Sequence, residues 1–229
     1  MQSEPINILT IQFANEISQK EIPLFRGAIN HSLENKSILF HNHDGDKLRY
    51  SYPLIQYKQI KDKAAIVCIG KGTESIHDFF QLGNIQLHLG KKEIEMSIKS
   101  VHVDQVQIGY NENEKHYKLR NWLPLNSDNY EVYQGMEDMV SKIQLLERIL
   151  VGNILSLFKG IGIHADQQIS LHITDITAQQ IVYYKRVKLM SFDIEFKANV
   201  SLPQYIGIGK NASIGYGMLT KKLAKVSFP

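Results

Sequence analysis

The chain has 229 residues, 43% hydrophobic and 21% charged, with a formal net charge of +3 and a pI near 8.7. That composition excludes wholesale disorder and sustains a sizeable core. No apolar run approaches the ~20 residues of a membrane span, and the opening MQSEPINILT has no basic leader.

Alternating apolar and polar residues over 6–13 (INILTIQF) predict a strand. A helix is expected over 21–33, with Pro23 near its start and Leu24, Ala28 and Ile29 on an apolar stripe. Residues 34–46 are polar and contain an Asp44-Gly45 turn. Residues 50–58 and 64–69 read as two strands joined through Lys61-Asp62. A short helix is expected over 73–82 with Thr73 as its N-cap, and 85–89 and 94–103 are strand-like. The resulting order β-α-β-β-α-β is ferredoxin-like.

A second cycle follows. Residues 106–110 and 117–125 read as extended. The strongest helix spans 135–158, where Met139, Ile143, Leu146, Leu150, Ile154 and Leu157 share a stripe, and Gly160-Ile-Gly162 stops it. Residues 169–173, 180–184, 188–197 and 218–226 read as strands, and residues 202–217 stand where the second helix belongs. The expected fold class is α+β: two tandem ferredoxin-like domains, 1–104 and 105–229, with the polar run NENEKH near their boundary.

Three features carry chemistry. The run GIGKNASIGYG has glycines at 207, 209, 215 and 217, with Lys210 and Asn211 between them. Exposed N–H groups of such a segment cradle an anion; the alternative is a glycine-rich bend packed between strands. Its spacing matches neither a Walker loop nor a dinucleotide fingerprint. The second feature gathers His41, His43, Asp44, Arg49, Tyr50 and Tyr52 within twelve residues. RNA cleavage without a metal needs a base, an acid and a cation, and these side chains supply all three. A metal site from His41, His43, Asp44 and Asp46 and an ordinary polar surface loop are the other readings. The third feature is basic residues at 58–63, at 185–188, and at Lys221, Lys222 and Lys225, which are either phosphate contacts or solvated lysines. Arg26-Gly27 in the first helix marks either a close approach or tight packing on the sheet. His31, His77, His88, His102, His116, His164 and His172 show no clustering, and Trp122 reads as core. The single Cys68 reads as a small buried hydrophobe and fits a reducing, cytoplasmic compartment.

Several blocks, in this order, resemble the CRISPR-associated endoribonucleases that process precursor guide RNA, the sixth Cas family, and within it the b-type branch. They are Phe25-Arg-Gly-Ala28, Phe40-His-Asn-His43, the run YSYPLIQYK from Tyr50 to Lys58, and NVSLP from Asn199 to Pro203, leading into the glycine segment. The resemblance implies two tandem ferredoxin-like domains and metal-independent cleavage within the CRISPR repeat. In that reaction a 2′-hydroxyl attacks the adjacent phosphate and leaves a cyclic phosphate. It implies His41, His43 and Tyr50 as catalytic residues. Arg26, Arg49, Gly207, Gly209, Lys210, Asn211, Gly215 and Gly217 are the expected RNA contacts. No cofactor or metal is expected. The expected partner is CRISPR repeat RNA, as precursor and mature guide RNA, with other subunits of an effector complex and a homodimer both compatible with the sequence. The competing functional reading is a non-catalytic CRISPR RNA-binding subunit.

Overall fold

The computed structural model describes residues 5–33, 43–44, 47–48, 52–81 and 85–222. Strand β1 (Ile6–Glu16) alternates as its sequence predicts, with Leu9, Ile11 and Phe13 on one buried face. Helix α1 (Ile22–Ser32), with Pro23 in its first turn, lies on that face, and Phe25 meets Phe13 edge-on at 5.6 Å between ring centroids. A two-residue ladder, β2 (His43–Asp44) with β3 (Lys47–Leu48), precedes the hairpin β4 (Ile55–Ile60) and β5 (Lys63–Ile69). Lys61 and Asp62 make its turn with φ of 49° and 62°. A 3-10 turn (Gly70–Thr73), α2 (Ile76–Phe80), the small hairpin β6 (Ile85–Leu89) and β7 (Lys92–Met96), and β8 (Ile98–Val106) complete the first half. Its sheet order is β4-β5-β1-β8, antiparallel throughout.

The second half repeats this plan. Strand β9 (Gly109–Trp122), helices α3 (Ser127–Gly135) and α4 (Met139–Gly160), β10 (Leu171–Tyr184), β11 (Val187–Ser201) and β12 (Met218–Lys221) give the antiparallel order β10-β11-β9-β12. In both sheets the second, third, first and fourth principal strands stand side by side, so both halves are ferredoxin-like, as expected. The two halves share their cores. Ile8, Ala65, Val67 and Ile69 pack with Phe158, Ile206 and Ile208, while Leu189, Ile214 and Tyr216 pack among Phe25, Tyr57 and Phe79. Each Ile, Val, Leu and Phe among them contributes about 1.5–3 kcal/mol by leaving water.

Local chemistry explains where the elements depart from the sequence reading. The helix expected over 135–158 is α4, which runs over Met139–Gly160, and a short helix not foreseen from the sequence, α3, precedes it. Asn126 caps α3 by accepting the Asn129 N–H at 2.8 Å, Gly135 ends it, and Asp138 caps α4 by accepting the Ser141 N–H at 2.7 Å. Met139, assigned to the apolar stripe, is 61% exposed. Thr73 is no N-cap: its hydroxyl donates to the Gly70 carbonyl at 2.8 Å inside the 3-10 turn. The strand expected over 94–103 breaks at Ser97, whose N–H donates to the Asn15 side chain. The run NENEKH lies inside β9, and residues 169–184 hold one long strand rather than two. Gly27 is exposed, and a Cβ there would meet nothing within 4 Å, so no packing on the sheet requires it. No described helix is long and apolar enough to cross a membrane.

Candidate functional site

Between β11 and β12 the chain makes an irregular hairpin that holds the glycines. Tyr205 N–H donates to the Leu219 carbonyl at 2.7 Å, Leu219 N–H to Ile206 at 2.8 Å, and Ile208 N–H to Gly217 at 2.8 Å. Ile206 and Ile208 enter the core. Two glycines are there because nothing larger fits. A Cβ on Gly217, at φ 60°, would stand 1.9 Å from the Ile208 carbonyl oxygen. A Cβ on Gly207 would stand 2.4 Å from Lys58 Nζ and 2.6 Å from the Ala212 carbonyl oxygen. Gly215 is buried against Ile22 of α1. The turn reaches the surface at Gly209, beside Trp122 and Asn153, and at the exposed Lys210 and half-buried Asn211.

The N-terminal domain grips this segment with the block that follows the histidines. Along β4, Ile55 and Tyr57 face α1, and Gln56 and Lys58 face the other way, towards the C-terminal domain. Tyr57 N–H donates to the Ser213 carbonyl at 2.8 Å, and Tyr57 bridges Ile214 in parallel register. Gln56 receives the Gly207 N–H at 2.6 Å and donates to the Tyr52 hydroxyl at 2.9 Å and the Pro53 carbonyl at 3.0 Å. Tyr52 donates in turn to the Gly207 carbonyl at 2.7 Å, and Lys58 Nζ to the Ala212 carbonyl at 2.7 Å. From α1, Arg26 reaches the Ser213 hydroxyl at 3.3 Å.

Burial sets the electrostatics. It pulls the Lys58 ammonium down to about 7 and pushes the Tyr52 phenol well above its ordinary range, against the lowering effect of the Gln56 hydrogen bond. Burial also pushes the Cys68 thiol up to about 12, so it is a core residue and no nucleophile at neutral pH. Lys58 is therefore no surface phosphate contact, contrary to its grouping in the basic run 58–63, because the C-terminal domain covers it completely. Lys63 in that run pairs with Glu16 at 3.1 Å. The run at 185–188 is exposed at the tip of the β10–β11 hairpin. There Lys188 stands over the ring of Tyr183, 6.0 Å from its centroid, and Tyr183 is 67% exposed. Lys221 is exposed, Lys222 pairs with Glu195, and Lys225 lies outside the described residues.

The structure thus brings Arg26 together with the glycine segment of the second domain. His41, Arg49 and Tyr50 lie outside the described residues, and of His43 the backbone alone is described, paired with Leu48. The seven remaining histidines are all exposed, and Trp122 is buried, its indole N–H donating to Asn153 at 3.0 Å. Among the described residues no group of acidic, histidine or cysteine side chains is arranged to hold a metal. The sequence reading placed Lys58 in a basic run but gave neither it, nor Gln56, nor Tyr52 an anchoring role. The signal for them was the alternation of Gln56 and Lys58 with Ile55 and Tyr57 along β4.

The fold class is thus two tandem ferredoxin-like domains with a glycine segment in place of the last helix. The family model of the Cas6b N-terminal domain matches residues 4–107, and that of the Cas6b C-terminal domain residues 109–222. The chain belongs to the Cas6b family. It is similar to a solved Cas6b, at 26% identity and a TM-score of 0.87, over 95% of this chain and 100% of that one. A solved CRISPR RNA processing endoribonuclease Cas6b matches at 26% identity and a TM-score of 0.74, with the same coverage. An uncharacterised protein of Methanocaldococcus jannaschii is 34% identical over 116 residues, 50% of this chain and 78% of that one.

Proposed function

We propose that this protein cleaves CRISPR repeat RNA in precursor transcripts by general acid–base chemistry, without a metal. The 2′-hydroxyl upstream of the cut attacks the adjacent phosphorus. The bond to the 5′-oxygen breaks, leaving a cyclic phosphate on the upstream fragment and a 5′-hydroxyl on the other. One of His41 and His43 takes the hydroxyl proton, the other protonates the leaving oxygen, and Tyr50 assists by hydrogen bonding. Arg49, Arg26 and the turn Gly209, Lys210 and Asn211, with Lys210 exposed at its tip, hold the RNA backbone. Gly207, Gly215 and Gly217 serve by shaping that turn from beneath. Tyr183, among the cations of its hairpin tip, offers a ring on which a base can stack.

The observation that carries this reading is the joint between the two sequence blocks. Tyr52 stands two residues after Tyr50 in the sequence, and its hydroxyl donates to the Gly207 carbonyl. The candidate cutting segment is therefore tethered to the candidate RNA-holding segment. The test is incubation with repeat RNA in excess EDTA. Cleavage should proceed, and a single 2′-deoxy nucleotide just 5′ of the cut should abolish it. His41→Ala and His43→Ala should each slow it roughly 10²–10⁴-fold. Cleavage of the deoxy substrate would refute the mechanism, and tight binding with no cleavage would favour a non-catalytic RNA-binding subunit.

A further inference from the structure

We propose that Lys58, a residue of the N-terminal domain, is a positioning residue for RNA binding. Its buried ammonium stands at the neck of the loop formed by residues 207–212, fixes that loop's backbone, and takes a phosphate bound on the turn as its counterion. The inference rests on the reading that the glycine segment holds RNA.

The geometry places the Lys58 ammonium against both ends of the loop. It donates to the Ala212 carbonyl at 2.7 Å, and it is so near Gly207 that a Cβ there would stand 2.4 Å from it. An ammonium carries three N–H donors, and among the described residues Lys58 has this single acceptor. The polar groups beside it are engaged elsewhere, Gln56 and Tyr52 with the backbone of Gly207 and with each other. The other ionisable side chains of β4, β5 and the glycine hairpin are Tyr57, Lys63, Cys68, Tyr205, Tyr216 and, on the turn itself, Lys210, with Tyr52, which burial keeps neutral, just before β4; none is a carboxylate. Burial is the one cause of the depressed Lys58 value, and no carboxylate is recorded against it among the described residues.

A second unsatisfied donor lies in the same loop: Asn211 Nδ2 is shielded from solvent and has no acceptor among the described residues. Two nitrogens at this loop, Lys58 Nζ and Asn211 Nδ2, thus carry hydrogens without an acceptor among the described residues. No described carboxylate is paired with Lys58 from below or with Lys210 at the tip. A buried ammonium without a counterion is costly, and a methionine would fill the same space without that cost. A phosphodiester on the turn supplies the negative charge, accepting from Lys210 at the tip and acting on the covered Lys58 through the loop. It is anionic, it accepts several hydrogen bonds, and at short range it favours the charged form of the lysine. Binding above neutral pH must then draw a proton onto Lys58.

The test uses the full chain carrying His41→Ala and His43→Ala, so that repeat RNA stays intact and neither histidine titrates. Affinity is measured at pH 8 and pH 9. Proton uptake is measured by calorimetry at pH 8 in two buffers of different ionisation enthalpy. The expected result is uptake of up to one proton and an affinity that falls by up to ~10-fold between the two pH values. Adding Lys58→Met should remove both effects and weaken binding at pH 8. If that variant does not fold, the measurements on the parent still decide. RNA binding with no proton uptake and equal affinity at both pH values overturns the role of Lys58 alone. Failure to bind repeat RNA at either pH overturns it together with the RNA-holding role of the segment.

Discussion

Lys58→Met should change how the stability of this protein depends on pH, with or without RNA. A lysine in the unfolded chain titrates near 10.5, and burial brings Lys58 to about 7. Between these values the unfolded state holds a proton that the folded state has lost. Stability therefore rises with pH across this range, and the dependence flattens below 7, where both states are charged. The maximum slope is ~1.4 kcal/mol per pH unit, and integration over pH 7 to 9 gives about 2 kcal/mol. Above pH 9 the sign reverses for other groups. Cys68, with an ordinary value of 9.0, is pushed up to about 12, and Tyr52 and Tyr57 are raised too, so the unfolded chain loses those protons first. Cys68 begins to oppose the lysine near the top of the window from 7 to 9, and the comparison with Lys58→Met cancels the cysteine's contribution and leaves that of the lysine. Urea denaturation followed by the fluorescence of Trp122, the single tryptophan, measures it. The wild type should gain about 2 kcal/mol across the window relative to Lys58→Met. Parallel stability curves for the two proteins would refute the argument that the ammonium is buried without a counterion.

Two further outcomes follow from the same geometry. Gly217→Ala would place a methyl group 1.9 Å from the Ile208 oxygen at a φ of 60°. It should cost about 3 kcal/mol or more, a fall of roughly 10 °C in Tm by calorimetry, and an unchanged Tm would show that the hairpin relaxes freely. Tyr183→Ala should weaken repeat-RNA binding by ~1–3 kcal/mol in fluorescence anisotropy, and Tyr183→Phe, which keeps the stacking ring, should bind almost as the wild type does. Equal affinity for the alanine variant would remove the hairpin tip from the RNA interface.

The double ferredoxin-like plan was legible because its principal strands alternate and its first helix carries both its stripe and Pro23. The glycine segment was legible because four glycines in eleven residues have few uses. What escaped had physical reasons. The exposed charged and amide side chains of NENEKH lie within β9, where neither face is consistently buried, so no alternation marked the strand. Helix α4 starts four residues later than expected because its N-cap is Asp138, which accepts the Ser141 N–H, and the apolar stripe alone does not mark that boundary. Lys58 escaped because lysine is ordinarily solvated, and its acceptor is a carbonyl 154 positions away that only the docked second domain supplies. The catalytic assignment rests on residue types and family resemblance, because His41 and Tyr50 fall outside the described residues.

The parallel bridge between Tyr57 and Ile214 has a consequence for solubility. Strand β4 is the last in its sheet, and its outer row of backbone groups would otherwise be open to pairing with another molecule. The glycine segment occupies that row, with the Ser213 carbonyl taking the Tyr57 N–H. Substitutions that dislodge the segment thus do more than loosen a grip on RNA. They uncover the open edge of β4, and the resulting protein should self-associate in proportion to how far the segment is displaced. Loss of RNA binding and loss of solubility are then two readings of one displacement. Glycine-segment variants should be sorted by their monomer fraction before their affinities are compared.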